Sequence, residues 1–322
     1  MNTVLKPIFQ QTVGLLSGYR AKNKLLILTY HRVLENYDPI IDEVDAVQFT
    51  QQMETLAEFF NVLSLDEGLE RMQNNDLPPG SVCVTFDDGY RDNHDVALPI
   101  LNALNLPATF FVATGYLGDG MMWNDVITES VRKTTLREVD LADFSLGKFS
   151  ILNDHQRVNL IDMLQEKWKY CSVDERNQIV GRFRQVMQVE FNERLMMTED
   201  EVKALSLAGM EIGGHTVSHP ILACTDLDEV RQEISQGKQK LESIVGKELK
   251  FFAYPNGQFG KDYTKEHAQL VESLGFKAAL TTNNGVIDNS SELYELPRIS
   301  IDYANKFRFG VSLARGYVQF AN

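Results

Sequence analysis

The stretch "SVCVTFDDGYRDNHD" at residues 81–95 runs from an apolar, β-forming segment straight into two adjacent aspartates and a glycine. An apolar run without polar alternation reads as a strand covered on both faces, the habit of parallel sheets packed under helices. Yet it ends on Asp87 and Asp88. Neighbouring carboxylates repel, and burying an unpaired one is costly, so a cation is expected beside them. Gly89 supplies the sharp backbone turn that follows the pair.

Working outward, similar runs recur. Strands are expected at "LLILTY" (25–30), "NVLSL" (61–65), "SVCVTF" (81–86), "ATFFVA" (108–113), "MEIGG" (210–214), "KFFAYP" (250–255), "KAALTT" (277–282) and "PRISI" (297–301). Helical patterns lie at 48–60, 94–104, 199–208, 226–245 and 262–274. In the fourth, Leu227, Val230, Ile234, Leu241 and Val245 form an apolar stripe, and Gly275 is a good stop after the fifth. Seven or eight such units predict an α/β fold closed as a parallel barrel rather than an open doubly wound sheet. No G-x-G-x-x-G or G-x-x-x-x-G-K-[ST] follows any strand, which removes the nucleotide-binding versions. In a parallel barrel the chemistry belongs at the C-terminal strand ends, where Tyr30-His31, Asp87-Asp88, His215, Pro255 and Arg298 lie. Residues 124–198 hold polar helical patterns where one short crossover would suffice, as in "HQRVNLIDMLQEKWKYC" (155–171). They read as an insertion or lid.

The composition bounds the partners. A chain of 322 residues, 43% hydrophobic and 24% charged, is an ordinary globular protein, one large domain or one with an insertion. A net charge of −14 argues against nucleic acid. Cys83, Cys171 and Cys224 form no C-x-x-C pair and fit a reducing compartment. No 18-residue apolar run occurs, and Gln10 and Gln11 interrupt any signal-peptide core, so a cytoplasmic location is expected. Leu5, Ile8, Phe9, Val13 and Leu16 share one helical face, with Lys6 and Arg20 nearby. Residues 1–24 are therefore expected to form an amphipathic helix capping a barrel domain of residues 25–322. Peripheral membrane contact through residues 1–20 is the other reading.

In "GGHTVSHP" (213–220), His215 and His219 are spaced i, i+4, so one helical turn would bring both imidazoles to one side. They could equally be two solvated turn histidines. The metalloprotease helix needs a glutamate right after the first histidine, and Thr216 stands there, so a base must come from elsewhere. Two neutral histidines and an anionic Asp88 make a catalytic zinc-type site with one open position. Asp87 is then left beside the bound water, whose pKa falls toward ~7. A shared cation also offsets the repulsion between the two carboxylates. Other readings of the pair fit less well. A D-x-D phosphatase needs a spacer, and "DDGYRDNHDVAL" lacks the alternating ligands and final glutamate of an EF-hand. Glycosidase carboxyls stand ~5–9.5 Å apart across a sugar, which adjacent residues seldom provide.

Taken together and in this order, "TFDDGY" (85–90) and "HTVSH" (215–219) resemble the motifs of the polysaccharide deacetylases of carbohydrate esterase family four, the NodB-homology fold. The resemblance covers most of residues 25–302 and implies a distorted (β/α)7-type barrel with a helical insertion. It implies Asp87 as general base and Asp88, His215 and His219 as ligands of a divalent metal, Zn2+ first, with Co2+, Ni2+ or Mn2+ as alternatives. Two departures matter. "FAYPNG" (252–257) puts Ala253 where many members carry the arginine of R-x-P-Y-G. Arg298 in "LPRIS" is the nearest replacement for orienting Asp87, or else a structural arginine.

The C-terminal L-x-x-H that normally supplies the general acid is also missing, and His267 is expected on a helix surface. His31 in "LTYHRV" is the better candidate acid, since this opening resembles the permuted poly-N-acetylglucosamine deacetylase branch, in which an N-terminal Y-H supplies it. A packed strand-end histidine is the alternative. Trp123 is expected as a sugar-stacking platform or an anchor for the inserted helices, and His94 and Asp95 as a solvated helix start.

The expected activity is metal-dependent removal of an N-acetyl or other N-acyl group from an amino sugar in a polysaccharide, an oligosaccharide or a lipid-linked glycan precursor. Asp87 deprotonates the water, a backbone amide near Asn256 helps bind the oxyanion, and His31 protonates the departing amine. The alternative is a degenerate barrel that binds a glycan without turnover.

Overall fold

Six strands pair in parallel, in the order β1 (Leu25–Tyr30), β2 (Ser81–Phe86), β3 (Thr109–Val112), β4 (Glu211–Gly214), β5 (Phe251–Ala253) and β6 (Ala278–Leu280). The computed structural model describes residues 23–300 and 306–319. The amphipathic helix expected over residues 1–24, with its membrane contact, lies outside them apart from its last two positions. Among the described residues no helix is long and apolar enough to cross a membrane.

The expected α/β barrel is what the chain forms, with one change in its seventh place. "PRISI" is a bridge rather than a ladder strand. Leu296 pairs with Leu280 on β6, and Ile299 pairs with Leu28 on β1, so the segment ties the two sheet edges together. Pro297 between them has no N–H to donate, which limits the pairing to isolated bridges. "NVLSL" also shortens, to Asn61–Val62 beside β2, because Ser64 accepts from Glu67 N and caps a helix beginning at Leu65.

The helices in chain order are α1 (Ala46–Phe59), α2 (Leu65–Gln73), α3 (Leu98–Leu104), α4 (Trp123–Lys133), α5 (Asp154–Trp168), α6 (Val173–Met187), α7 (Glu199–Leu207), α8 (Leu227–Val245), α9 (Lys265–Ser273) and α10 (Lys306–Gln319). Strand alternation divides the core. Leu26, Leu28, Val82, Val84, Phe110 and Phe252 pack outward against residues of α1, α7, α8, α9 and α10. Leu25, Ile27, Cys83, Phe111, Phe251 and Leu280 form a separate cluster that fills the barrel. Helix α2 closes the barrel's lower end with Leu65, Leu69 and Met72. Gly68 lets it in, since a Cβ there would stand 2.8 Å from Leu25 Cδ2.

Within 124–198, α4, α5 and α6 build an apolar cluster of their own around Ile127, Leu164, Trp168 and Phe183, with a short hairpin of Glu138–Asp140 and Lys148–Ser150. Trp123 belongs to this unit. Its ring packs on the cluster and lies 4.8 Å from the Arg176 guanidinium of α6, so it anchors the inserted helices instead of offering a sugar platform. His267 is also not on the surface. It is buried as the third residue of α9, where its Nδ1 accepts from the Thr264 backbone N–H at 3.0 Å, doing what a glutamate does in a capping box.

Candidate functional site

The alternation that turns Cys83 and Thr85 into the barrel continues through Asp87 at its upper rim. Asp87 N donates to the Tyr30 carbonyl at 2.9 Å, which sets the ends of β1 and β2 side by side and brings His31 to the same rim. Asp88 then adopts φ 76° and Gly89 φ 92°. Left-handed backbone is natural for glycine and strained for aspartate. A Cβ on Gly89 would stand 2.9 Å from Val112 Cγ1, so the turn lies against the end of β3. The result is two adjacent carboxylates aimed at different neighbours.

Asp87 faces a guanidinium. Arg298 donates from Nη1 to Oδ1 at 2.7 Å and from Nη2 to Oδ2 at 2.6 Å, a bidentate fork. The same arginine donates to the Thr281 carbonyl at 2.8 Å and to Thr85 Oγ1 at 3.2 Å, and both partners are buried. Burial alone would raise the Asp87 carboxyl. The Arg298 charge and its hydrogen bonds outweigh that and hold it below the usual carboxylate range. The guanidinium that faces Asp87 thus comes from the bridging segment, while position 253 carries Ala253.

Asp88 faces two imidazoles. Its Oδ1 lies 3.3 Å from His215 Nε2 and 3.4 Å from His219 Nε2. The two rings are not on a helical turn, as their spacing predicts. Residues 215–219 form a loop in which Thr216 and His219 take left-handed backbone, φ 65° and 52°, and the ring centroids come within 4.9 Å. Thr216 Oγ1 accepts from His219 N at 3.1 Å. Glu233 of α8 gathers the loop by accepting from Val217 N, Ser218 N and Ser218 Oγ at 2.9, 2.7 and 2.8 Å. Glycine in α8 permits this approach, for a Cβ on Gly237 would meet the Thr216 carbonyl oxygen at 2.9 Å.

The donor chemistry of this trio fits a cation. His215 Nδ1 sits 2.7 Å from the Ala253 carbonyl oxygen. A carbonyl only accepts, so Nδ1 carries the proton, and in the neutral ring Nε2 turns a lone pair toward the Asp88 carboxylate. Burial pushes His219 down to about 4, so this ring is neutral near pH 7. Its Nδ1 has no hydrogen-bond partner among the described residues. The His215 lone pair and the Asp88 carboxylate oxygen, 3.3 Å apart, repel unless a positive centre stands between them. Asp88, His215 and His219 each offer one ligand atom, all within 4.8 Å of one another. A second such group, His94, Asp95 and Glu201, does not compete. Arg91 and Arg194 already pair with its carboxylates, and it keeps to a solvated helix start.

His31 stands at the rim with its side chain 43% exposed and its Nδ1 3.5 Å from Glu43 Oε1. Burial would lower its pKa, but Glu43, Asp88 and Asp87 together outweigh this and raise it. Glu43 is the residue that sequence reading missed. It returns to His31 because Val33–Leu34 pairs with Val44–Asp45 in two-residue strands, too short to leave a pattern. The same reading took Ala253 only as a lost arginine, whereas its backbone carbonyl fixes His215. Asn256 and Gly257, past the end of β5, turn with φ 59° and 69°. The amide expected at the oxyanion lies on that turn.

Against known proteins, residues 74–279 match the family model described as polysaccharide deacetylase. A Bacillus subtilis (strain 168) protein named as a polysaccharide deacetylase, YxkH, is 21% identical over 280 residues, 86% of this chain and 71% of its own. A Staphylococcus epidermidis poly-β-1,6-N-acetyl-D-glucosamine N-deacetylase is 30% identical over 112 residues, 30% of this chain and 38% of its own. Among solved structures, the Streptococcus pyogenes deacetylase PplD in complex with acetate aligns over 93% of this chain and 98% of its own, at TM-score 0.58 and 22% identity. IcaB from Ammonifex degensii aligns over 91% and 97%, at TM-score 0.58 and 17% identity. At those identities the structures speak for the fold alone, and the fold is the same.

Proposed function

The chain belongs to the polysaccharide deacetylase family, and from that premise we propose that it is a metal-dependent hydrolase removing N-acetyl groups from an amino sugar in a glycan. Asp88, His215 and His219 would hold a divalent cation, Zn2+ or else Co2+, Ni2+ or Mn2+, which would supply Lewis-acid polarisation of the amide carbonyl and acidify the attacking water. Asp87 takes the proton from the water, and Arg298 keeps that carboxylate ionised and turned to the site. The backbone amide at Asn256 donates to the developing oxyanion. His31 passes its proton to the departing amine, which is otherwise a very poor leaving group.

The observation that carries this reading is the split between Asp87 and Asp88. One carboxylate is saturated by a guanidinium, and the other is left facing the two imidazoles of His215 and His219. Neighbouring carboxyls with divided environments are the mark of divided roles. The staphylococcal relatives are named for poly-β-1,6-N-acetyl-D-glucosamine, which supports that polymer as the first substrate to test. Fully N-acetylated β-1,6 oligomers should release acetate and free amine, stop doing so with a chelator, and resume with added Zn2+. No acetate from any N-acetylated glycan, despite stoichiometric metal, would overturn the hydrolase and leave a glycan-binding barrel.

Glu43 positions His31 and sets how long it stays protonated. Removing the Glu43 carboxylate by Glu43→Gln lowers the His31 pKa, so the alkaline limb of kcat/KM should move to lower pH. The acid limb, set by Asp87, should stay in place. A pH–rate profile checks this, and an unmoved alkaline limb would remove His31 as the acid.

A further inference from the structure

Beside the barrel mouth, between residues 37–43 and helices α4 and α5 of the insertion, lies a cleft of ≈580 Å³. That is room for a sugar unit or two. Its walls carry five carboxylates, from Asp38, Asp42, Glu43, Asp125 and Asp162. His31 pairs with Glu43 at 3.5 Å. Arg132 pairs with Asp38 at 3.1 Å. Arg32 also lines the cleft, but its Nε donates to Asp92 at 2.9 Å, and its guanidinium lies 4.9 Å from the Tyr90 ring centroid. Among the described residues no lysine or arginine pairs with Asp42, Glu43, Asp125 or Asp162.

A second observation points to a ligand. Asp125, in the first turn of α4, is only 6% exposed. Its Oδ1 accepts from the Tyr90 hydroxyl at 2.9 Å, while Oδ2 has no partner among the described residues. Asn124 Oδ1, next to it in the same wall, is likewise unpartnered. Two buried oxygens without partners, beside the unpaired Asp42 and Asp162 carboxylates, ask for a group that brings hydrogens and positive charge. The cleft is continuous with the candidate centre through Glu43, which lines it and touches His31.

We propose that this cleft is a subsite for a sugar unit bearing a free ammonium, so that the preferred substrate is a partly deacetylated glycan rather than a fully acetylated one. The inference rests on the deacetylase reading, because that reaction makes the required group. Water adds to the amide carbon, the C–N bond breaks, acetate leaves, and the amine takes a proton to become ammonium. A unit processed once then binds beside the next acetylated unit.

The test uses the full chain with its metal removed by a chelator, so that neither ligand is turned over during the titration. Glucosamine tetramers with every amine free, β-1,6- and β-1,4-linked, are titrated by calorimetry beside their fully N-acetylated counterparts. The free-amine form of at least one linkage should bind about tenfold more tightly, with the gap closing at about 0.5 M salt. Asp42 and Asp162 are exposed, so the double variant Asp42→Asn/Asp162→Asn should fold normally and lose most of the preference while binding N-acetylated tetramers unchanged. Equal or reversed affinities in both linkages, or a preference that the double variant keeps, would overturn the subsite. Failure of the deacetylase reading shows separately, as absence of acetate release by the unmodified protein.

Discussion

Arg298→Leu is expected to cost the fold about 3–5 kcal/mol and to lower deacetylation at least a hundredfold in the protein that still folds. The side chain lost makes four hydrogen bonds in the barrel, two of them to one carboxylate. Leucine fills part of the volume and leaves Asp87, 3% exposed, as an uncompensated buried charge. With the guanidinium gone, burial loses its main opponent and drives the carboxyl upward, and a protonated carboxyl cannot accept the water's proton. The pH dependence gives the sign. In the unmodified protein Asp87 is held below its unfolded value, so its contribution to stability is present above about pH 4 and is lost as pH falls through the folded value. In Arg298→Leu the folded value lies above the unfolded one, so the penalty should shrink on acidification. Urea unfolding of both proteins at pH 7 and pH 4 measures this. A variant as stable and active as the parent would show that Arg298 does not hold Asp87.

Asp88→Ala should abolish metal binding, with affinity down at least a hundredfold and acetate release falling with it. Elemental analysis of the variant beside the parent reads the first effect, and full metal in the variant would show the ligand assignment to be wrong. A companion substitution separates chemistry from folding. Asp88 pays for its place with left-handed backbone, φ 76°, a conformation glycine takes freely. Asp88→Gly should therefore be about 1 kcal/mol more stable than Asp88→Ala in the absence of metal, while binding none.

Much of the fold and part of the site were legible in the sequence, for physical reasons. Strands buried on both faces write themselves as unbroken apolar runs, so β1 to β6 were found near their true places. Asp87, Asp88, His215 and His219 were legible because they lie close together in two short segments, each at a strand end. The way the histidines meet was not, since nothing in "HTVSH" announces left-handed backbone at Thr216 and His219. Helix α2 was missed because Gly68 weakens its helical pattern, and that glycine is needed because Leu25 and Cys83 pack against it. Arg298 could be named but not assigned, for its partners Thr85 and Asp87 are remote in sequence and met only through closure of the barrel. His267 was misjudged for the same reason, since burial of a capping imidazole depends on what packs over it.

The bridge at Leu296–Ile299 ties the making of the protein to its working. The carboxylates at 87 and 88 leave the ribosome roughly two hundred residues before Arg298 does. Until then the nascent ring stands open between β1 and β6, and Asp87 has no guanidinium to answer it. Under the proposed chemistry, a chain released early would keep both aspartates and both histidines and lack the guanidinium that holds Asp87 ionised, so hydrolysis would report that translation had run past residue 298.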